Sequence, residues 1–343
     1  MDRLFRIVAP ILVLGAILYY AFHKYGHFAT PHVSSGSSSG SNGGSSLLSS
    51  GDKAMADKLA PFIDCINTAD SKLAEATQAY RKMVVALKTD LHKYEYPAAS
   101  DFAMAGRFEK FEQDNGDGLS CASRLEKASA MPKVADLDAI GPDYAATLRK
   151  LAPLARQADF YYNQRDYQDD HMARGTELDS QIAPLLDHLR QLSHGMRAGV
   201  ERENRILKQH ELDATEAREG KGVRWQTLNF MIQSRATYEK MQELANSGKL
   251  DAASMEEAIQ PTQAAFDSAT AYAAAHPREV SEQRGATWNR IDNSASFYLA
   301  SLKELRRELQ SKLTAYWINT QISRVERDFN SMVDSYNRGV QFD

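Results

Sequence analysis

Asp166, Asp169, Asp170 and His171 fall within six consecutive residues, with Asp159 upstream and Tyr161, Tyr162 and Tyr167 interleaved. Carboxylates and an imidazole at this density are the right ligand types for a divalent cation. Asp166 and Asp170 are four apart, so one helical turn aligns them, whereas Asp169 and Asp170 diverge by about 100°. That divergence favours a structured corner over a metal site. In such a corner aspartates cap helix N-termini, and tyrosines bury their rings while offering hydroxyls to carboxylates. Tyr161, Tyr162, Asp166, Tyr167, Asp169 and Asp170 are therefore the candidate residues of a structural corner or ligand-binding floor, and no metal or cofactor is expected there.

Cys65 and Cys121 are the only two cysteines. Neither has a cysteine or histidine at zinc-ligand spacing. In an oxidising compartment an even pair is expected to bridge, and closing this loop would contribute roughly 4 kcal/mol by chain entropy. Two buried free thiols are the alternative. Gln113-Asp-Asn-Gly-Asp-Gly118 approaches a calcium loop, but position 12 is Arg124 where a bidentate glutamate is required, so a turn is expected. The chain has no Gly-x-Ser-x-Gly elbow, no phosphate-binding glycine loop and no His-Glu-x-x-His. His188, His194 and His210 are six and sixteen apart, which puts them on no common ligand face. No catalytic residue is assigned.

The elements that must position the corner are helices. Apolar residues recur at three and four through seven stripes. They begin at Leu59, Leu137, Leu178, Trp225, Met255, Trp288 and Ile322, the sixth extending to Tyr316. Alternating β-branched runs are nearly absent. Thr176-Glu-Leu-Asp179 and Ser254-Met-Glu-Glu257 read as capping boxes. Pro61, Pro153 and Pro184 are expected to kink or restart their helices. The fold class is all-α, an antiparallel bundle or bundles of about seven helices.

Residues 1–53 differ. Ile7 to Phe22 is an uninterrupted apolar run, about 24 Å long as a helix against a hydrocarbon core of roughly 30 Å. Leu4 and Phe5 extend it, and Arg6 and Lys24 can snorkel. Arg3 and Arg6 precede the run and only Lys24 follows, which orients the N-terminus inside. His27-Phe28-Ala29 is a poor cleavage site, so residues 1–24 are expected to stay as a signal anchor. Residues 25–53 are Ser/Gly-rich in Thr30–Gly51 and are expected to be a flexible linker spanning roughly 25 Å. Residues 54–343 form the helical domain. The expected location is the inner membrane, single-pass, with that domain in the periplasm. The whole chain carries −4, and residues 31–343, with 38 basic and 44 acidic side chains, about −6. No basic field is available for nucleic acid.

The phrase Tyr161-Tyr162, Asp166-Tyr167, Asp169-Asp170 and Gly175 resembles the YiiG-like family of bacterial exported proteins. Phe62-Ile-Asp-Cys65-Ile-Asn67, Cys121 at the head of a short helix, Leu151-Ala-Pro-Leu154, Phe297–Lys303 and Phe329–Asn337 agree in order, so the resemblance covers about residues 54–340. It implies a mostly helical envelope protein without an assigned activity and carries over no catalytic residue. Family members are typically lipoproteins. Here an apolar anchor and tether stand in place of a lipidated cysteine, and a polar helical stretch, Gln310 to Arg324, replaces a loop before the last helix.

The function expected from these readings is a membrane-anchored helical binding or scaffold protein, not an enzyme. A protein or small-molecule partner would seat between helices over Tyr161, Tyr162 and Tyr167. An immunity or inhibitor protein that captures a toxin or enzyme is the alternative. A metal- or carbohydrate-active enzyme, resting on the aspartates alone, comes third.

Overall fold

The structure is a computed structural model, and it describes residues 49–93, 121–128, 131–282, 288–311 and 314–340. Every regular element among them is helical. The apolar run at 7–22, the Ser/Gly stretch at 30–48 and the loop at 113–118 lie outside the described residues. Among the described residues no helix is long and apolar enough to cross a membrane. The contacts divide the chain into two compact units, with Ser50–Asn204 in one and Arg205–Asp343 in the other.

The first unit opens with α1 (Ser50–Cys65), a π-helical turn (Ile66–Asp70) and α2 (Ser71–Thr89). Helix α1 begins inside the last residues of the expected linker. After it come α3 (Cys121–Ala128), α4 (Ala135–Gln164), the single turn α5 (Asp166–Asp169) and α6 (Ala173–Glu219), whose residues up to Asn204 belong here. Helix α6 is antiparallel to two neighbours. Against α4 it sets Arg202 on Asp136, and the backbone at Gly199 and Gly195 lies under Leu137 and Ile140. Against α2 it pairs Asp187 with Arg81 and Asp179 with Lys88. Such contacts, with one partner number rising as the other falls, are what antiparallel stripes require. Leu59, Phe62, Ile63, Leu137, Leu151, Leu178, Ile182 and Leu189 are all within 1% of full burial, so much of the first three stripes is core, although Leu185 and Leu192 of the third are only partly covered.

The second unit contains the rest of α6, then α7 (Val223–Asn246), α8 (Ala252–Ala275), α9 (Pro277–Glu282), α10 (Trp288–Gln310) and α11 (Ala315–Val340). Its core joins Phe230, Met241, Met255, Trp288, Ile291, Tyr298, Leu302, Val325, Phe329 and Met332. Tyr238 of α7 stacks on Phe329 of α11 at 4.4 Å and 3°. Helices α7 and α8 run antiparallel, with Thr237 Oγ1 donating to the Ala258 carbonyl at 2.7 Å and Ser268 Oγ to Gln226 Oε1 at 2.8 Å.

Three local expectations change and a fourth narrows. Asp251, not Ser254, caps α8; the Asp251 carboxylate accepts from Ser254 N–H at 2.8 Å, and Ser254 Oγ accepts from Asp251 N–H. Thr176 is no cap either, because α6 already begins at Ala173. The sixth stripe ends at Gln310, so Tyr316 starts the next helix and is exposed rather than packed. Helices α1, α4 and α6 run through Pro61, Pro153 and Pro184 without restarting.

Candidate binding cleft beside the tyrosine corner

Helix α4 ends because Arg165 turns left-handed (φ 64°), donating its N–H to the carbonyls of Tyr161 and Tyr162. One turn later His171 (φ 51°) and Met172 (φ 67°) are left-handed as well. Left-handed backbone is disfavoured for residues with a Cβ, so packing must hold all three. The packing is the tyrosine cluster. Tyr161, Tyr162 and Tyr167 are buried, with ring centroids 5.0 Å (161–162), 6.5 Å (161–167) and 6.1 Å (162–167) apart, and Tyr80 of α2 adds an edge contact at 6.4 Å to Tyr162.

Gly175 lets α6 enter this cluster. A Cβ there would meet Tyr161 Cε1 at 2.9 Å, Met172 Cε at 3.0 Å and Tyr162 Oη at 3.1 Å. Real Cβ atoms do not approach so closely to a buried ring, so the residue is confined to glycine by space rather than by φ.

Asp170 ties the corner together. One carboxylate oxygen accepts from Tyr161 Oη at 2.7 Å, the other from Arg174 N–H at 2.9 Å in the first turn of α6. Burial tends to raise its pKa. The hydrogen bonds from Tyr161 and from the N–H groups of Arg174, Met172 and Ala173 outweigh that and hold the carboxyl below the usual range. Of the three aspartates that the sequence offers as caps, Asp170 is the one that accepts from the first turn of α6. Burial pushes the Tyr161 hydroxyl up, with the Asp170 hydrogen bond adding to it. Tyr162 is pushed up by burial, then by Asp179 and Asp170; its hydroxyl is buried and takes no hydrogen bond among the described residues.

Asp166 and Asp169 point elsewhere, both exposed to solvent. Among the described residues no group of three or more His, Cys, Asp or Glu side chains is placed to hold a metal ion. Of the six corner residues, the structure thus gathers Tyr161, Tyr162, Tyr167 and Asp170, and leaves Asp169 outside.

Asp166 instead lines an open cleft of about 440 Å³ with Pro153, Arg156, Gln157, Phe160, Tyr161 and Arg174. Residues 153, 156, 157, 160 and 161 recur at three and four on α4, so one helix face forms the wall. Phe160 is 66% exposed at its edge. Arg174 donates to Gln157 Oε1 at 2.8 Å and pairs with Glu177 at 2.6 Å, which fixes its guanidinium across the rim. The expected floor of three tyrosines reduces to Tyr161, since Tyr162 and Tyr167 are fully covered.

Two buried polar groups were not readable in the sequence. The Asp70 carboxylate accepts from Tyr144 Oη (3.0 Å), Ser193 Oγ (2.7 Å), and Arg197 Nε (3.2 Å) and Nη2 (2.5 Å). All four residues are at most 4% exposed. Lys58, fully buried, donates to the Ala128 carbonyl at 3.1 Å and to Asp138. Between Lys58 and Asp70 in the chain, Cys65 forms a disulfide with Cys121, their Cα atoms 5.4 Å apart. Asp70 ends a π turn, a local irregularity that recurs at special positions and that shows only in the folded chain.

The family described as "Protein of unknown function (DUF3829)" matches residues 53–338. The uncharacterised protein YiiG of Escherichia coli (strain K12) is 22% identical over 299 residues, which cover 81% of this chain and 81% of that one. No solved structure matches the chain. A match over that span, carrying the corner, the bridge and the cleft, means that this chain belongs to the YiiG-like DUF3829 family of unknown function.

Proposed function

We propose that this protein is a membrane-anchored, periplasm-facing binding or scaffold protein rather than an enzyme, and that the cleft on α4 is where its partner seats. In this reading Ile7–Phe22 is a single transmembrane helix and the Ser/Gly stretch holds the helical units off the inner membrane. The observation that carries the binding role is Phe160, a large apolar side chain exposed beside Arg156 and Arg174 on a corner locked by four tyrosines. Aromatic and arginine side chains on a rigid support are the anchors that dominate protein interfaces, because little entropy is lost when they are covered. The non-enzymatic reading is supported by Asp170, whose two oxygens are engaged in the corner itself.

The test places a photo-crosslinking residue at position 160 of the full chain in cells, with position 297 as control, since Phe297 is similarly exposed at 59% on α10. A discrete adduct at 160, absent at 297 and lost in Arg156→Ala/Arg174→Ala, is the expected result. Equal labelling at both positions would refute the cleft. Membrane anchoring is checked separately, by retention of the full chain in the pellet after alkaline washing and by protease access from the periplasmic side. A shortened, soluble mature protein would overturn it.

A further inference from the structure

Among the described residues of the second unit, one Asp, Glu, Lys or Arg side chain is buried: Glu326 of α11, 4% exposed. It follows Val325 and precedes Phe329 on the face that α11 turns to the core. The charged and titratable groups around it are engaged elsewhere or neutral. From α7, Tyr238 donates its hydroxyl to Glu326 Oε1 at 3.3 Å and accepts from Gln242 at 2.8 Å. Arg235 of α7 and Arg205 of α6 both go to Glu239, at 3.0 and 2.7 Å. From α10, Tyr298 donates to the Ser234 carbonyl, and Glu308 accepts from Gln321. Lys208 of α6 pairs with Glu211. On α11 itself Arg324 leans towards Asp328 at 3.9 Å, and Arg327 is exposed. Among the described residues Glu326 is thus left with a neutral partner only, whereas the equally buried Asp70 has Arg197. An ion in that position would have neither water nor counter-charge, so the carboxyl tends to keep its proton. Burial accordingly pushes its pKa up to about 7, against the Tyr238 hydrogen bond.

We propose that the seam between α7 and α11 is a proton-operated latch, closed while the Glu326 carboxyl is neutral and parted when it ionises. Tyr238 is held to α11 twice, since its ring stacks on Phe329 at 4.4 Å and its hydroxyl meets Glu326. A charge formed beside that stack has to draw in water, and water enters by separating the tyrosine from α11. The rest of the unit need not follow. Helix α11 lies mainly along α10 and touches α7 far less, so the seam parts as a local opening while the α10–α11 pairing holds. Phe230 of α7, Phe266 of α8 and Trp288 of α10 form a second aromatic cluster, with centroids 5.4 to 5.9 Å apart, that stays closed. Acid closes the latch and neutral conditions release it, presenting Tyr238 and Phe329 to solvent. The sign follows from a folded-state pKa above the ordinary 4.5: the closed form is fully favoured below 4.5 and loses ground as pH rises to about 7.

Hydroxyl-radical footprinting of the full chain reads the seam, with mass spectrometry giving the labelling of each aromatic residue as pH is varied. Opening gains up to tenfold per pH unit between the pKa of the open state and that of the closed one. Labelling of Tyr238 and Phe329 should therefore rise about fiftyfold from about pH 5 to about pH 7.5, while Phe230 and Trp288 stay level. Glu326→Gln keeps the shape and the hydrogen-bonding capacity without the charge, so its labelling should stay low throughout. Tyr238→Phe, read at Phe329, removes the hydrogen bond that favours the ion and should move the midpoint to higher pH. A flat response in wild type, or the same rise in Glu326→Gln, overturns the latch. So does a parallel rise at Phe230 and Trp288, because the whole unit would then be opening. Should Glu326→Gln not fold, Tyr238→Phe carries the test, and an unmoved midpoint overturns the proposal.

Discussion

Replacing Arg197 by methionine tests whether the buried ion pair organises the first unit. The side chains of Arg197 and Asp70 are 3% and 5% exposed, and the guanidinium approaches one carboxylate oxygen at 2.5 Å. Methionine fills much of the same volume but leaves the carboxylate without its counter-charge. Removing one partner of a buried pair typically costs about 3–5 kcal/mol, most of it from the charge left behind. Tyr144 and Ser193 would still donate to Asp70, so the lower end, about 3 kcal/mol, is expected. Chemical denaturation gives the total, and hydrogen exchange at the amides of α1, α2 and α4 assigns it to this unit. Asp70→Asn combined with Arg197→Met should be less damaging than the two single losses added together, because no charge remains buried. A loss below about 1 kcal/mol for Arg197→Met, or strict additivity in the double variant, would refute the reasoning.

Gly175→Ala should destabilise by about 1–3 kcal/mol, read in a thermal melt, because its Cβ meets the ring of Tyr161 and the hydroxyl of Tyr162. Asp170→Ala should cost about 0.5–2 kcal/mol as a lost cap, whereas Asp169→Ala should stay within about 0.5 kcal/mol, and calcium should shift neither melt. Glu326 is buried, and desolvation lifts its pKa from 4.5 to about 7 despite the Tyr238 hydrogen bond. The folded state then holds a proton that the unfolded chain has released, so stability should fall as pH rises from about 4.5 to 7, by about 3 kcal/mol in all, and flatten above. Glu326→Gln should abolish that slope in denaturation curves taken across the range. Reducing the Cys65–Cys121 bridge, which spans 56 residues, should cost roughly 4 kcal/mol and lower the melting temperature.

Seven apolar stripes account for the long helices, because burial of one face dictates their spacing and nothing else in the chain competes with it. The polar members of the core escaped that reading for the same reason. Ser193 and Arg197 lie on the buried face of α6 while Leu185 and Leu192, which the stripe includes, are only partly covered. A rule that counts apolar residues rotates the helix away from its true inner face. Asp70 is 127 residues from Arg197, so only tertiary structure reveals the pair. The corner was readable as a cluster of tyrosine and aspartate, and its capping role followed from residue type. Which aspartate caps did not follow, since left-handed turns at Arg165, His171 and Met172 decide where each carboxylate points. No propensity rule expects three such residues without glycine.

The disulfide also decides what a protease can release. Cys65 lies on the N-terminal side of any cut made between residues 66 and 120, and Cys121 on the other. The piece that begins with the apolar run Ile7–Phe22 stays bonded through sulfur to everything beyond Cys121. A nick in this interval therefore changes the chain count without changing the mass seen before reduction. If Ile7–Phe22 anchors the chain as proposed, a cut between the two cysteines sheds nothing without a reductant, whereas a cut upstream of Cys65 releases both helical units.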